Sequence, residues 1–170
     1  MKFGIFKAFL KYFGKTYYVH IPFGLLVVNF IFQRIFRINT DVPFSVNYTN
    51  RINGYKYIKI DESSMVSFTV SGGAYIVAHE KAEISIGKNV IFANNCCIQT
   101  INHGYIDRNN FTYAAVHIGD NCWLGNSVSI LAGVSLGENV TVGANSVVTK
   151  SFPSNVVIAG VPAKIIKTIS

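Results

Sequence analysis

The chain has 170 residues, of which 50% are hydrophobic and 14% are charged, and its formal net charge is +7. This length fits one domain of ordinary size with a buried core. The low charged fraction predicts that flat faces of the fold are covered by other copies, since monomers rarely expose broad apolar surfaces. Three cysteines without a signal-like spacing exclude a disulfide framework and favour a reducing compartment.

Residues 1–40 form a basic, aromatic segment that is predicted to be helical. They hold six basic side chains and no acidic one, so nearly all of the net charge lies at the amino end. Spacings of three and four residues place a set of apolar side chains on one helical face and lysines on a neighbouring face. The apolar set is Phe3, Phe6, Leu10, Phe13 and Tyr17, and the lysines are Lys7, Lys11 and Lys15.

This pattern is typical of helices that lie in a membrane interface and bind anionic lipids. We therefore predict peripheral contact with an anionic membrane through residues 1–40. A helix that packs against a neighbouring subunit is one alternative, and a membrane span is another. The longest uncharged run, Thr16 to Phe32, is at the lower limit for a span of about 20 residues. Nucleic acid is not expected as a partner, because no binding motif accompanies the basic residues.

Residues 41–83 are predicted to form irregular first coils of a repeat that becomes regular in residues 84–170. They begin at the helix-stopping turn Asp41-Val-Pro43 and are predicted to contain short strands at Tyr55–Ile60 and Met65–Val70. From Ile86 onward a large apolar residue recurs every six positions, followed four places later by a small or β-branched residue. The large set is Ile86, Phe92, Ile98, Ile118, Leu124, Ile130, Leu136, Val142 and Val148, and the smaller set is Val90, Cys96, Cys122, Val128, Val134, Val140 and Ser146.

Neither the 3.6-residue period of a helix nor the 2.0-residue period of a strand explains this spacing. A chain that turns a corner every six residues does explain it, with three units in each triangular coil and successive coils stacked as parallel strands. The sequence therefore predicts an all-β solenoid with an N-terminal helical segment. A short C-terminal tail would close its open end.

One loop, at residues 102–117, must leave the coils, because Ile98 and Ile118 are separated by two residues more than three repeats. Residues that leave a solenoid repeat are the ones free to carry function. The loop contains His103, and histidine suits the removal of a proton near neutral pH. His79 and His117 are expected to be structural. No zinc site is expected, because the spacings of the three histidines do not stack them on successive coils.

The repeats resemble the left-handed parallel β-helix of the hexapeptide-repeat acyltransferases, most closely the sugar O-acetyltransferase branch, over residues 71–167. The most specific stretches are HIGDNCWLGN at 117–126, ILAGV at 130–134, VGANSVVTK at 142–150 and AGVPAK at 159–164. The resemblance implies the left-handed coil, a homotrimer with active sites between subunits, and transfer of acetyl from acetyl-CoA without a metal.

The resemblance also implies roles for particular residues. His103 matches the general base of the family, and Asn102 and Tyr105 in the same loop are the expected substrate contacts. The cofactor motif matches at Trp123, Asn126, Ala144, Thr149, Lys150, Lys164 and Lys167, the last two being candidates for the CoA phosphates. A subunit contact is the alternative for Trp123, and a solvated tail is the alternative for Lys164 and Lys167.

The acceptor is the least determined part of this interpretation. Lys81 and Gly73 stand where the small soluble sugar acetyltransferases carry an acidic and an amide residue that grip the sugar. We therefore expect O-acetylation of a surface polysaccharide or its precursor, in the cytoplasm at the inner face of the membrane. An acetyltransferase for a small sugar, amino sugar or xenobiotic stays an alternative, as does a non-catalytic hexapeptide scaffold.

Overall fold

The computed structural model describes residues 16–169, which form a three-sided parallel β-helix with a helical cap at its amino end. Sheet 1 contains β1 (Arg51–Asn53), β3 (Tyr75–Val77), β6 (Cys97–Gln99), β11 (Ser129–Ile130) and β14 (Val147–Val148). Sheet 2 contains β2 (Ile58–Ile60), β4 (Ile84–Ile86), β9 (Val116–Ile118) and β12 (Ser135–Leu136). Sheet 3 contains β5 (Ile91–Phe92), β10 (Trp123–Leu124), β13 (Thr141–Val142), β15 (Val156–Gly160) and β16 (Ala163–Thr168).

The six-residue repeat is confirmed by the core. Every member of the large set and of the smaller set is buried. The parallel register stacks equivalent positions on one another: on sheet 1, Ile98 lies beside Ile130 and Ile130 beside Val148. Each coil therefore rests on the apolar side chains and the backbone hydrogen bonds of its neighbours.

The corners of the coils are built by asparagines in the left-handed backbone conformation. Asn89, Asn121, Asn139 and Asn155 have φ between 53° and 61°. Asparagine tolerates this conformation better than other residues that carry a side chain. The corner amides also stack: Asn89 donates to Asn121 at 3.1 Å, and Asn139 donates to Asn155 at 2.8 Å.

The amino-terminal cap is helical where it is described. A 3₁₀ turn at Thr16–Tyr18 precedes helix α1 (Phe23–Phe30), which continues into a π-helical turn at Ile31–Ile35. The apolar set predicted for the first helix lies outside the described residues except for Tyr17, whose ring packs on Tyr18. Among residues 16–169, no helix has the length and apolar character that crossing a membrane requires.

The strand predicted at Met65–Val70 is wrong, because this segment is helix α2 (Met65–Val70). It occupies the place of a sheet 3 strand in the first coil, beside the segment before β1, from which Asn47 N donates to Phe68 O at 2.8 Å. A helix satisfies its own backbone, and serine hydroxyls join it to the next coil: Ser71 donates to Phe92 O at 2.6 Å. The strand predicted at Tyr55–Ile60 is also too long, since Tyr55–Tyr57 is a 3₁₀ turn.

The carboxyl end is closed by a strand. After β15 the chain reverses, and β16 pairs antiparallel with β15 at the end of sheet 3. The C-terminal tail predicted from the sequence therefore covers the edge of the last coil.

Candidate active site

The loop that leaves the coils is a β-hairpin at the corner between sheets 1 and 2, which we call edge 1–2. Strands β7 (Ile101–His103) and β8 (Phe111–Tyr113) pair antiparallel, with His103 opposite Phe111. The base closes where Ala114 N donates to Thr100 O at 3.0 Å. The hairpin is thus joined to the rigid coil, and His103 lies on a regular strand.

The imidazole of His103 is held in one orientation. Its Nδ1 lies 2.7 Å from the backbone oxygen of Arg108, and the ring packs on Phe111 at 4.7 Å between centroids. Because a carbonyl oxygen can only accept, Nδ1 must carry the proton of the neutral ring. The lone pair is then on Nε2, which is the state that a general base requires.

Arg108 and Phe111 were not found from the sequence. The oriented atom is a backbone carbonyl, which no residue type specifies. Arg108 also donates from its guanidinium Nη1 to Gly104 O at 3.2 Å, which links the two ends of the hairpin tip. Phe111 can be recognised as a neighbour of His103 only once the pairing of the two strands is known, because that pairing places it opposite His103.

The two predicted substrate contacts lie in different surroundings. Asn102 precedes His103 on the strand, so its side chain points to the opposite face of the hairpin, where its Oδ1 accepts from Gln99 at 3.4 Å. Tyr105 lies at the hairpin tip and is 94% exposed, beside Ile106, which is 102% exposed. A single chain therefore brings neither Asn102 nor Tyr105 against the imidazole of His103.

One part of the predicted cofactor set lies along sheet 3 and the corner that leads from it to sheet 1, which we call edge 3–1. Trp123 points outward from β10 and is half exposed. Asn126 and Ala144 occupy equivalent turns of successive coils, and Asn145 N donates to Asn126 O at 2.8 Å. Ala144 is exposed, and its backbone N–H has no acceptor within residues 16–169.

Two glycines permit this close stacking of turns. A Cβ on Gly125 would lie 2.7 Å from the backbone nitrogen of Ala144, and one on Gly143 would lie 2.9 Å from Cβ of Ala159. Both distances are shorter than ordinary contacts, so the turns require glycine at these positions.

The remaining predicted cofactor residues are exposed cations and one hydroxyl. Thr149 and Lys150 follow β14 at edge 1–2, and Lys164 and Lys167 lie on β16. Within the described part of the chain the one ion pair joins Lys59 to Glu83. The three lysines therefore have no carboxylate partner there and fit the phosphates of a nucleotide cofactor.

One chain does not join these residues into a single site. The hairpin leaves edge 1–2 two coils before Thr149, a distance of about 10 Å along the axis at the usual strand spacing. Asn126 and Ala144 lie on edge 3–1, at a different corner of the triangle. His103 and Ala144 therefore lie at different corners of one chain.

The other histidines have structural surroundings. His117 Nδ1 is 2.6 Å from Ser85 Oγ on the outer face of sheet 2, beside a shallow groove of about 450 Å³ that Glu138 and Phe152 help to line. The ring of His79 packs on Tyr113 at 4.5 Å between centroids, which supports the base of the hairpin. No group of three metal-ligating side chains converges within residues 16–169.

Comparisons with known proteins match this architecture. The family model for the bacterial transferase hexapeptide (six repeats) matches residues 115–150. WbbJ of Escherichia coli K12, named as a candidate lipopolysaccharide biosynthesis O-acetyl transferase, is 42% identical over 97 residues, or 49% of this chain and 50% of that protein. The chain spans about half the length of the curated relatives it matches.

Two solved structures extend the comparison. A maltose O-acetyltransferase from Clostridium difficile 630 is 32% identical with a TM-score of 0.53, covering 71% of this chain and 66% of that chain. A hexapeptide-repeat acetyltransferase from Vibrio cholerae, solved with acetyl coenzyme A, is 27% identical with a TM-score of 0.54, covering 72% and 61%. These likenesses coincide with the buried six-residue register, and the chain belongs to the hexapeptide-repeat acyltransferase family with its left-handed parallel β-helix.

Proposed function

We propose that this protein transfers the acetyl group of acetyl-CoA to a hydroxyl of a sugar, in a surface polysaccharide or its precursor. The observation that carries the proposal is the orientation of His103, whose Nδ1 proton is committed to Arg108 O. The names of the relatives support an acetyl donor and a glycan acceptor: acetyl coenzyme A in one structure, maltose in another, and lipopolysaccharide for WbbJ.

In the proposed reaction, Nε2 of His103 takes the proton of the acceptor hydroxyl. The acceptor oxygen attacks the thioester carbonyl, so that a C–O bond forms and the C–S bond breaks. Backbone N–H groups stabilise the oxyanion that develops between these steps. The imidazolium of His103 then returns its proton to the departing sulfur, which restores the neutral ring. Nδ1 keeps its proton throughout, because Arg108 O can only accept.

The binding of acetyl-CoA is proposed for the residues of edge 3–1 and for the lysines. The unpaired N–H of Ala144 would bond an amide oxygen of the pantetheine arm, and Lys164 and Lys167 would meet the phosphates. Trp123 and Asn126 would line the channel on one copy, and Thr149 and Lys150 would line it from edge 1–2 of a neighbouring copy.

We infer that three copies assemble with the active sites between them. The outward positions of sheet 3 are uncharged from β5 to β15, along the register of Ile91, Trp123, Thr141 and Val157, which ends beside Lys167 on β16. The hairpin tip carries two large, almost fully exposed side chains, Tyr105 and Ile106. A neighbouring copy would cover both and would bring edge 3–1 to the hairpin.

The location proposed for the enzyme is the cytoplasm, with residues 1–40 in peripheral contact with the inner face of the membrane. Their six basic side chains and lack of acidic ones support this contact. It would bring the enzyme to glycan precursors held at that surface.

The reaction is tested with the purified full chain, acetyl-CoA and a panel of acceptors. The panel contains lipopolysaccharide and capsule oligosaccharides, maltose, a galactoside and a hexosamine, with CoA release and product mass as readouts. Mild alkali distinguishes the linkage, because it removes O-acetyl groups and leaves N-acetyl groups. A base-stable product on the hexosamine alone would contradict O-acetylation, and no transfer to any acceptor would favour the scaffold alternative.

The shared site is tested by mixing two inactive variants. His103→Ala removes the base at edge 1–2, and Ala144→Trp blocks edge 3–1 with a side chain that replaces an exposed alanine. Co-expressed in equal amounts, they should regain about a quarter of the wild-type activity, because that share of sites pairs two intact edges. Sedimentation of each variant alone checks that it still assembles. Mixed assemblies that stay inactive would contradict a site between copies.

A further inference from the structure

Helix α1 and its π-helical turn bury polar side chains and expose apolar ones, the reverse of an ordinary surface helix. Asn29 is fully buried and Gln33 is 4% exposed. The outward side carries five large apolar residues, of which Phe30, Ile35 and Phe36 are each at least 60% exposed. We call this side the apolar cap face; its members are Val27, Val28, Phe30, Ile35 and Phe36.

The buried polar side is explained by the open end of the solenoid. Asn29 Oδ1 accepts from Tyr48 N at 3.0 Å, and Gln33 Oε1 accepts from Val46 N at 2.9 Å. Gln33 Nε2 donates to Phe44 O at 2.9 Å. These are alternate residues of the segment that precedes β1, which has no strand beside it on that side. The two amides act as a substitute strand and satisfy backbone groups that would otherwise be buried unpaired.

Within residues 16–169, the apolar cap face has no such explanation. Sealing the coil needs only the two amides, and helix formation needs no particular residue on the outward side. Several large apolar residues grouped on one exposed side are typical of a surface that binds a protein or a membrane. Burial of these side chains would remove apolar surface from water. The amides of Asn29 and Gln33 meanwhile hold the helix on the coil.

The charges of the cap and of the sequence before it indicate what kind of partner binds the apolar cap face. Arg34 and Arg37 are exposed within the same segment, and Lys2, Lys7, Lys11 and Lys15 precede it in the sequence. The first acidic residue of the chain is Asp41. A second copy placed on this face would bring Arg34 and Arg37 of the two chains together, and like charges would oppose it. An anionic surface would attract both.

We propose that the apolar cap face docks on an anionic lipid membrane, with its side chains in the headgroup and acyl boundary and the basic residues against lipid phosphates. Membrane-interface helices combine these two features, apolar insertion and cationic attraction. Asn29 and Gln33 fix the helix to the first coil, so docking holds the coil axis and the hairpin at a set orientation to the bilayer. The docking surface stands apart from acetyl transfer, because vesicle binding needs neither acceptor nor acetyl-CoA.

The test is flotation of the purified full chain with vesicles of phosphatidylcholine alone or with about 30% phosphatidylglycerol. The variant is Val27→Ser/Phe30→Ser, which removes two apolar side chains of the cap face and leaves every charge in place. Ile166→Ser is the matched control, since Ile166 on β16 is as exposed as Phe30. Thermal unfolding and sedimentation of each protein check the fold and the assembly.

The expected result is that the wild type and Ile166→Ser float with the anionic vesicles. The double variant should bind about 10-fold or more weakly at an unchanged sedimentation coefficient, given the value of one or two buried apolar side chains. A wild type that fails to float at low salt would overturn the proposal. So would a double variant that floats like the wild type, because the basic residues alone would then suffice. A change of assembly in the double variant would assign the face to a contact between copies.

Discussion

The regular coils bury almost only apolar side chains, whereas the cap and first coil bury polar side chains beside apolar ones. In the coils the buried positions are Ile, Val, Leu and other apolar residues of the six-residue repeat. Of the ten buried polar side chains within residues 16–169, eight precede residue 72. All of the buried side-chain nitrogen and oxygen atoms in that part of the chain have hydrogen-bond partners.

The difference follows from what lies next to each backbone. A coil in the middle of the stack receives its hydrogen bonds from strands on both sides, so its side chains are free to fill the core. The first coil has a neighbour on one side only, and its open edge takes bonds from side-chain amides and hydroxyls instead. Asn29 and Gln33 show this directly: their side-chain oxygens accept from Tyr48 N at 3.0 Å and from Val46 N at 2.9 Å. Apolar packing therefore stabilises the regular coils, and in the cap and first coil polar pairing adds to apolar packing.

The largest effect is expected at the hairpin, which we take as the place of chemistry. His103→Ala should lower turnover by roughly 10²–10⁴-fold, the usual contribution of a general base. It should leave acetyl-CoA binding and the unfolding midpoint nearly unchanged, because the side chain is exposed. Initial rates of CoA release, with cofactor binding measured by calorimetry, check both parts.

The control for that change is alanine at the other two described histidines near the coils. His117→Ala removes a surface hydrogen bond to Ser85, and His79→Ala removes a ring contact with Tyr113. Both should cost far less turnover than His103→Ala. Equal losses at the three positions would contradict a single base and point to a folding defect.

Breaking the packing of the coils should give the largest change in stability. Leu124→Ala empties a position with no exposure in the middle of the stack and should cost about 2–5 kcal/mol of unfolding free energy. Ile166→Ala, on the exposed side of β16, should stay within about 0.5 kcal/mol of the wild type. Urea unfolding gives both values. A similar loss for the two variants would mean that the repeat does not form the core.

Removing charge from residues 1–40 tests whether an anionic membrane is the partner of the apolar cap face. Replacing Lys7, Lys11 and Lys15 by Gln should weaken binding to anionic vesicles by about 3 kcal/mol, or about 100-fold, at about 1 kcal/mol for each lysine. Raised salt should weaken the wild type in the same direction. The matched control replaces Lys56, Lys81 and Lys88, which carry the same charge on the coils. If it weakens binding as much, net charge rather than the amino end is responsible.

Polar pairing in the cap is tested at Asn29. Asn29→Leu keeps a similar volume but leaves Tyr48 N and Thr69 O without their partners, so it should cost about 1–3 kcal/mol. Asn126→Leu makes the same chemical change at an exposed turn and should be nearly neutral. Unfolding of the two variants in urea compares them. A neutral Asn29→Leu would contradict the role of the amides as a substitute strand.

The sequence predicts the coils well because their order repeats. Each apolar position from Ile86 to Val148 obeys one rule, and neighbouring coils reinforce it. The first coil follows no period: Met65–Val70 contains the β-branched residues Val66, Thr69 and Val70, yet it is helical in the place of a sheet 3 strand. Local residue preference could not reveal that position.

The site divides in the same way. His103 could be predicted because it interrupts the repeat, and a break in a pattern is visible in the sequence. Its orientation by Arg108 O could not, since any residue supplies a carbonyl. The separation of Ala144 from the hairpin likewise appears only when the coils are wound, because sequence spacing does not tell one corner of the triangle from another.

The smallest effect is a difference in alkaline stability between the two regions. Burial raises the pKa of the three thiols, Cys96, Cys97 and Cys122, in the coils, and burial also raises the pKa of Tyr18 in the cap. For each group the folded state holds its proton to higher pH than the unfolded state, so the stability contribution is complete below the unfolded pKa and is lost as pH rises. The pKa of an unfolded thiol is about 8.5 and that of an unfolded tyrosine is about 10. As pH rises, the stability contribution of the thiols in the coils should therefore decline first. Urea unfolding at steps of half a pH unit should show a constant free energy of unfolding to about pH 8 and a fall above it. The fall should be shallower in Cys96→Ala/Cys122→Ala. In Tyr18→Phe the fall should be the same as in the wild type below pH 10. If Tyr18→Phe flattens the fall between pH 8.5 and 10 and the cysteine variant does not, the first groups to lose their protons lie in the cap.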